Sequence, residues 1–132
     1  MANPFVHVEL NTADLGRAKD FYGSLFDWQL DDVEISPRHP YTMIRVGGGT
    51  GGGMMMQPVP GEPSQWIAYV GVEDIRAATE RALALGASVI TEPTEVKNAG
   101  WLAIIHDPTG ATLGLWQDRA GGTTNLPIEV GV

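Results

Sequence analysis

Polar and apolar positions alternate from the start of the chain. Phe5, His7, Glu9 and Asn11 interleave with Val6, Val8 and Leu10, the period-2 pattern of a strand with one apolar face and one polar face. Asn11-Thr12-Ala13-Asp14 ends the alternation and offers capping side chains to a helix in which Leu15, Ala18, Tyr22, Leu25 and Phe26 recur at helical spacing. Strand patterns follow over residues 27–34 (with Trp28, Leu30 and Val33), 41–46 (YTMIRV) and 54–57 (MMMQ), separated by a Pro-bearing turn at 36–40 and by the glycine run 47–53, GGGTGGG. A Pro- and Gly-rich linker spans 58–64, and then the order starts again. A strand pattern covers 65–72. Asp74 caps a helix bearing Ile75, Ala78, Ala82 and Leu85, and Gly86 stands where a helix C-cap glycine belongs. The pattern over 87–96 is a strand interrupted by Pro93, and two more strands, 101–105 and 112–117, flank the turn His106-Asp107-Pro108-Thr109-Gly110.

Laying the second half over the first at a constant shift of 60 positions pairs Leu10 with Val70, Asp14 with Asp74, Leu15 with Ile75, Leu25 with Leu85, Ile44 with Ile104 and Met55 with Leu115. The expected fold class is therefore α+β: two tandem β-α-β-β-β modules forming a cup-shaped mixed sheet with the helices outside. The whole is read as a single domain over residues 1–117, with module one at about 4–57, the linker at 58–64, module two at about 65–117, and a C-terminal tail from 118 to 132.

Composition narrows the chemistry. The 132 residues suit one domain with a sizeable core, and the absence of cysteine excludes a disulfide framework, thiolate metal ligands and a cysteine nucleophile. No apolar run reaches the roughly 20 residues of a membrane span and the start MANPFVHVEL does not read as a signal peptide, so a cytoplasmic protein with no membrane partner is expected. Sixteen acidic against eight basic residues give a net charge of −8 with no basic stripe, which argues against a nucleic-acid partner. The glycine run lacks the Gly-Lys-Ser/Thr ending of a phosphate loop, and no Gly-x-Ser-x-Gly elbow is present.

The segments HVELNTADLGRAKDFYGSLFDW, GGGTGGGMM, VEDIRAATERALALGASV and HDPTGATLGLWQ together resemble the glyoxalase / bleomycin-resistance / extradiol-dioxygenase superfamily, the vicinal oxygen chelate proteins. The resemblance implies a divalent metal held in the cup by His and Glu from the first and last strand of each module. At the matching positions this chain has His7, Ile67, Met54 and Gly114, so one of four keeps a donor, whereas His/carboxylate sites generally need three or more. Glu9 shares the face of His7 but lies roughly 7 Å along the strand. Glu62, His39 and His106 fall in linker or turn positions. No metal and no cofactor are expected.

Period-2 bookkeeping from His7 places Glu9, Ile67, Tyr69, Met54, Met56, Gly114 and Trp116 on the inner face. His7 and Glu9 are the candidate catalytic pair, with His7 as a general base or ligand hydrogen-bond group and Glu9 orienting its ring. His7, Glu9, Met54, Met56, Ile67, Tyr69 and Trp116 form the candidate binding wall, suited to a small, flat organic ligand. The expectation is a metal-free binder of a small aromatic or cationic ligand, acting by sequestration or metal-free catalysis, and assembled as a homodimer as the resemblance implies. The alternatives are a metal-dependent lyase, isomerase or dioxygenase with a relocated site, and a structural module whose cup is filled.

Overall fold

The structure is a computed structural model that describes residues 2–36 and 39–119. The chain runs β1 (Phe5–Thr12), α1 (Leu15–Leu25), β2 (Gln29–Ser36), β3 (His39–Arg45), β4 (Gly52–Met56), β5 (Gln65–Gly71), α2 (Ile75–Ala84), β6 (Ser88–Val96), β7 (Gly100–His106) and β8 (Thr112–Asp118). All eight strands join one curled sheet in the order β2-β3-β4-β1-β5-β8-β7-β6. Within each module the first strand lies parallel to the last, β1 with β4 and β5 with β8, and the modules meet where β1 runs antiparallel to β5. This is the tandem β-α-β-β-β cup. The C-terminal tail expected from 118 to 132 lies, beyond Arg119, outside the described residues. Among the described residues no helix is long and apolar enough to cross a membrane.

Local chemistry starts both helices in the same way. Asp14 accepts from the Arg17 N–H and Asp74 from the Ala77 N–H, each at 3.1 Å, so each helix has one orphan donor satisfied by its own N-cap carboxylate. Gly86 follows α2 with φ +103, a conformation that a side chain would strain. Both helices cover one face of the sheet. Leu10, Ile44 and Met54 pack under Leu15, Ala18 and Tyr22 of α1 and its flank, while Ala103, Ile105 and Leu115 pack with Ile75, Ala78 and Ala82 of α2.

The constant 60-residue shift holds through the helices and fails after them. Leu10 pairs with Met54 in module one, while Val70 pairs with Leu115 in module two. Thr42 pairs with Met54, and Ala103 with Leu115. From the third strand of each module onward, equivalent positions are thus 61 apart, and the buried mate of Ile44 on the helix face is Ile105, not Ile104. The offset builds up in β6, where the register slips between Val89 and Thr91 and again between Thr91 and Thr94, around Pro93. A single-residue offset exchanges the two faces of a strand.

Candidate functional site

That exchange redraws the cup. In β4, Gly53 pairs with Glu9 and Met55 with Asn11, so these two positions face the cup. Met54 is fully buried on the helix face, and the sulfur of Met56 on that same face accepts the Leu15 N–H at 3.4 Å. Neither Met54 nor Met56 lines the cup as expected, because β4 and β8 are equivalent at an offset of 61 residues and not 60. The module-one mate of Gly114 is Gly53, so the family's four metal positions become His7, Gly53, Ile67 and Gly114.

His7, Glu9, Ile67, Tyr69 and Trp116 do lie on the cup face, where β3 adds Tyr41, Met43 and Arg45. Tyr41 is the residue that the sequence reading missed. Its hydroxyl donates to Glu9 Oε1 at 3.0 Å and stands 2.7 Å from His7 Nε2, so it bridges the two side chains that strand spacing holds apart. Tyr69 from β5 and Asn11 Nδ2 both donate to the other oxygen, Glu9 Oε2, at 3.3 Å. Three donors occupy three of the roughly four acceptor sites of one buried carboxylate when it is ionised.

Two glycines make room for these tyrosines. A Cβ on Gly53 would overlap the Tyr41 ring and hydroxyl, and a Cβ on Gly114 would overlap the Tyr69 ring. In place of donor-bearing residues, the last strands therefore carry seats for the rings that bind Glu9. Ile67 contributes no donor, His7 Nε2 is engaged by Tyr41, and Glu9 is occupied by three hydrogen bonds. Among the described residues no three His, Cys, Asp or Glu side chains converge. Glu62 is exposed in the linker, His106 ends β7 two strands from β5, and the side chain of His39 falls outside the described residues. These residues do not fit the divalent metal that the family implies.

The module-two half of the cup is packed. Val6, Ile67, Tyr69, Ala99 and Trp116 form one cluster, and Trp116 is 1% exposed with its indole N–H lacking a hydrogen-bond partner. Val6 joins the cluster because the β1–β5 register shifts between Phe5 and His7. At the module-one end, a cavity of about 220 Å³ is bordered by His7, Met43 and Arg45 from the cup face, by Ile44 and Val46 from the helix face, and by the backbone of the glycine run that begins at Gly47. Arg45 at its mouth pairs with Asp31 at 2.8 Å. A second cavity of about 250 Å³, lined by Val8, Trp28, Ile44, Val46 and Trp66, opens on the helix face and carries no ionisable side chain.

Burial sets the electrostatics of this pair. It drives the His7 imidazole down to about 3 and raises Glu9, whose three hydrogen bonds oppose the rise. Burial and the neighbouring Glu9 hold both tyrosine hydroxyls well above their ordinary range, so both remain donors. The signs for stability are opposite. His7, depressed when folded, contributes stability that is complete above its ordinary value of 6.5 and is lost as pH falls toward about 3. Glu9, raised when folded, contributes stability that is present below its ordinary 4.5 and is lost as pH rises through its folded value. Between pH 7 and 4.5 the two partly offset each other. Glu9→Gln removes one side of that balance, so the drop in urea midpoint from pH 7 to pH 4.5 should be larger in the variant than in the wild type. Equal drops would show that Glu9 does not offset His7.

A family model described as Glyoxalase/Bleomycin resistance protein/Dioxygenase superfamily matches residues 5–115. CFP32 of Mycobacterium bovis is 35% identical over 129 residues, covering 94% of this chain and 49% of that protein. The anthracycline biosynthesis protein DnrV of Streptomyces peucetius is 26% identical over 140 residues, 93% of this chain and 51% of that protein. The chain thus spans about half the length of these relatives. Among solved structures, hypothetical protein BH1468 from Bacillus halodurans superposes with a TM-score of 0.69 at 16% identity, covering 90% of this chain and 96% of that one. Methylmalonyl-CoA epimerase from Mycobacterium tuberculosis superposes with a TM-score of 0.64 at 16% identity, covering 97% and 91%. At such identities the structural likeness concerns the fold.

Proposed function

Because the chain belongs to the Glyoxalase/Bleomycin resistance protein/Dioxygenase superfamily, we propose that its cup binds a small organic molecule in the module-one half, without a metal, at the end occupied by His7. The observation that carries this reading is the open cavity of about 220 Å³ meeting a buried, hydrogen-bonded His7–Tyr41–Glu9 line. Sites of this kind pair an apolar wall with few, well-placed polar groups. Here Met43 is the adaptable wall and Arg45 and His7 are the polar contacts. Arg45 at the mouth opposes a cation, and the Glu9 carboxylate is buried and already engaged by three donors, so the cationic ligand gives way to a neutral or weakly acidic one. A stacking platform from Tyr69 and Trp116 is also given up, since both are packed inside module two. The names of DnrV and of the epimerase, one tied to anthracycline biosynthesis and one to a coenzyme A thioester, support an organic ligand without specifying it.

A thermal-shift screen with neutral, weakly acidic and cationic organic compounds tests this. Compounds of the first two classes should stabilise the wild type, by about 2.7 kcal/mol at a hundred times Kd. His7→Ala and Arg45→Ala should each weaken those hits by about 0.5–3 kcal/mol, a hydrogen bond's share. Hits drawn only from cations, or hits indifferent to both substitutions, would overturn the proposal.

A further inference from the structure

The second cavity, on the helix face, has a floor that the chain cannot close. Across the sheet at this point runs the row Gly52-Val8-Ala68, where β4, β1 and β5 bring only small side chains. The next row, Met54-Leu10-Trp66, is large, and Met54 and Leu10 there pack under α1. Nothing larger can stand on β4 at the floor, since a Cβ on Gly52 would overlap the Val8 carbonyl oxygen. Module two carries Leu113 at the equivalent place, packed into its own helix-face cluster. One copy of the duplicated site is thus filled by the chain, and the other is hollow.

The walls of the hollow copy are aromatic and held in position. Trp28 and Trp66 meet edge to face, 6.4 Å between centroids and 79° between planes, and make a corner over the floor. The Trp66 indole N–H donates to the Tyr22 hydroxyl at 3.2 Å, which fixes that ring. Trp28 is braced by Phe26 and Tyr22, with centroids 4.8 and 5.8 Å away. Thr50 brings the one hydroxyl, and it donates to the Phe5 carbonyl at 3.2 Å. No charged side chain lines the cavity, and the Thr50 hydroxyl and the Trp66 N–H are both engaged within the protein.

We propose that this corner is a second binding site, on the face of the sheet away from the cup, for an uncharged aromatic molecule of one or two fused rings. Charge decides the class, because an ionised group placed here would lose hydration and gain no counter-charge. Shape agrees with it. Two rings at right angles offer a guest one face and one edge, the arrangements that aromatic pairs prefer over a face-to-face sandwich. Size sets the limit: an apolar cavity of about 150 Å³ holds benzene, so one of about 250 Å³ has room for two fused rings. A peptide or a second copy of this chain fits less well, since its backbone N–H and C=O groups would find no partners on this lining.

The site does not depend on the cup binding anything, so the two readings fail separately. Naphthalene is the probe, 2-naphthoate its charged counterpart, and the chain's four tryptophans report where binding occurs. Titrating naphthalene into ¹⁵N- and ¹³C-methyl-labelled protein should shift the indole N–H signals of Trp28 and Trp66 saturably, and leave Trp101, Trp116 and the Met43 methyl of the cup in place. The naphthoate should bind at least about tenfold more weakly. Val8→Phe fills the floor from within and should abolish the shifts. If that variant does not fold, Trp66→Ala, at a position 38% exposed, should weaken naphthalene by about tenfold or more. Shifts centred on Met43 or Trp101, a naphthoate that binds as tightly as naphthalene, or no saturable shift at all would each overturn the proposal. Trp28 and Trp66 signals that move with protein concentration alone would overturn it too, and would assign the aromatic corner to a second copy.

Discussion

Trp116→Ala should destabilise the domain by about 3–5 kcal/mol, the range for truncating a large buried aromatic. At 1% exposure Trp116 fills the module-two half of the cup against Val6, Ile67, Tyr69 and Ala99. Gly100 is fitted to it as well, since a Cβ there would lie 2.8 Å from Trp116 Cζ2. Trp116→Phe should cost far less, below about 1.5 kcal/mol. It keeps most of the volume and removes an indole N–H that makes no hydrogen bond, an arrangement costing about 1–3 kcal/mol in itself. Urea unfolding of both variants checks the pair. A small loss in Trp116→Ala, coupled to loss of ligand binding, would return Trp116 to the open wall where the sequence pattern placed it.

The distance between those two positions shows how far the sequence could be read. The tandem fold was legible because its signals are local: alternation in residues 5–11, an Asp cap three residues before the first backbone N–H that it binds in each helix, and Gly86 closing α2. His7, Glu9, Ile67, Tyr69 and Trp116 lie on the face that the pattern predicts, because the 60-residue shift that carries β1 onto β5 holds there and β8 is read from its own turn. The transfer from β8 to β4 failed. It relied on a constant repeat length across β6, and the bulges there leave little trace in sequence beyond Pro93. One residue of error moved Met54 and Met56 to the wrong side and hid Gly53 behind Met54. Tyr41 was missed for the same reason, although a signal existed: Ile44 and Val46 are the apolar alternates of YTMIRV, which leaves Tyr41, Met43 and Arg45 for the other face. The Tyr41 bridge itself is a contact 32 and 34 residues away in sequence, and no periodicity encodes it.

Gly53→Ala should damage both stability and site, by about 2–4 kcal/mol when overpacking and a weakened hydrogen bond to a charged group are summed. The added methyl would occupy the space of the Tyr41 ring, and Tyr41 has little freedom to withdraw, being 4% exposed and tied by its hydroxyl to Glu9 and His7. Displacing that hydroxyl leaves a buried carboxylate with two donors in place of three and leaves His7 Nε2 without its Tyr41 partner. Gly114→Ala makes the control. It presses on Tyr69 in the same way and should cost a similar overpacking penalty, yet the Tyr69 hydroxyl bonds to Glu9 Oε2 and its ring meets His7 only edge-on, at 5.9 Å between centroids, so the His7–Tyr41 hydrogen bond itself is not broken. Stability alone would not separate the two substitutions, whereas the side-chain ¹⁵N shifts of His7 at neutral pH would. They should change most in Gly53→Ala, which displaces the Tyr41 partner of Nε2, and least in Gly114→Ala. If Gly53→Ala folds with wild-type stability and unaltered His7 shifts, the glycine is not the seat of Tyr41, and the close fit between β3 and β4 has no part in setting the state of His7.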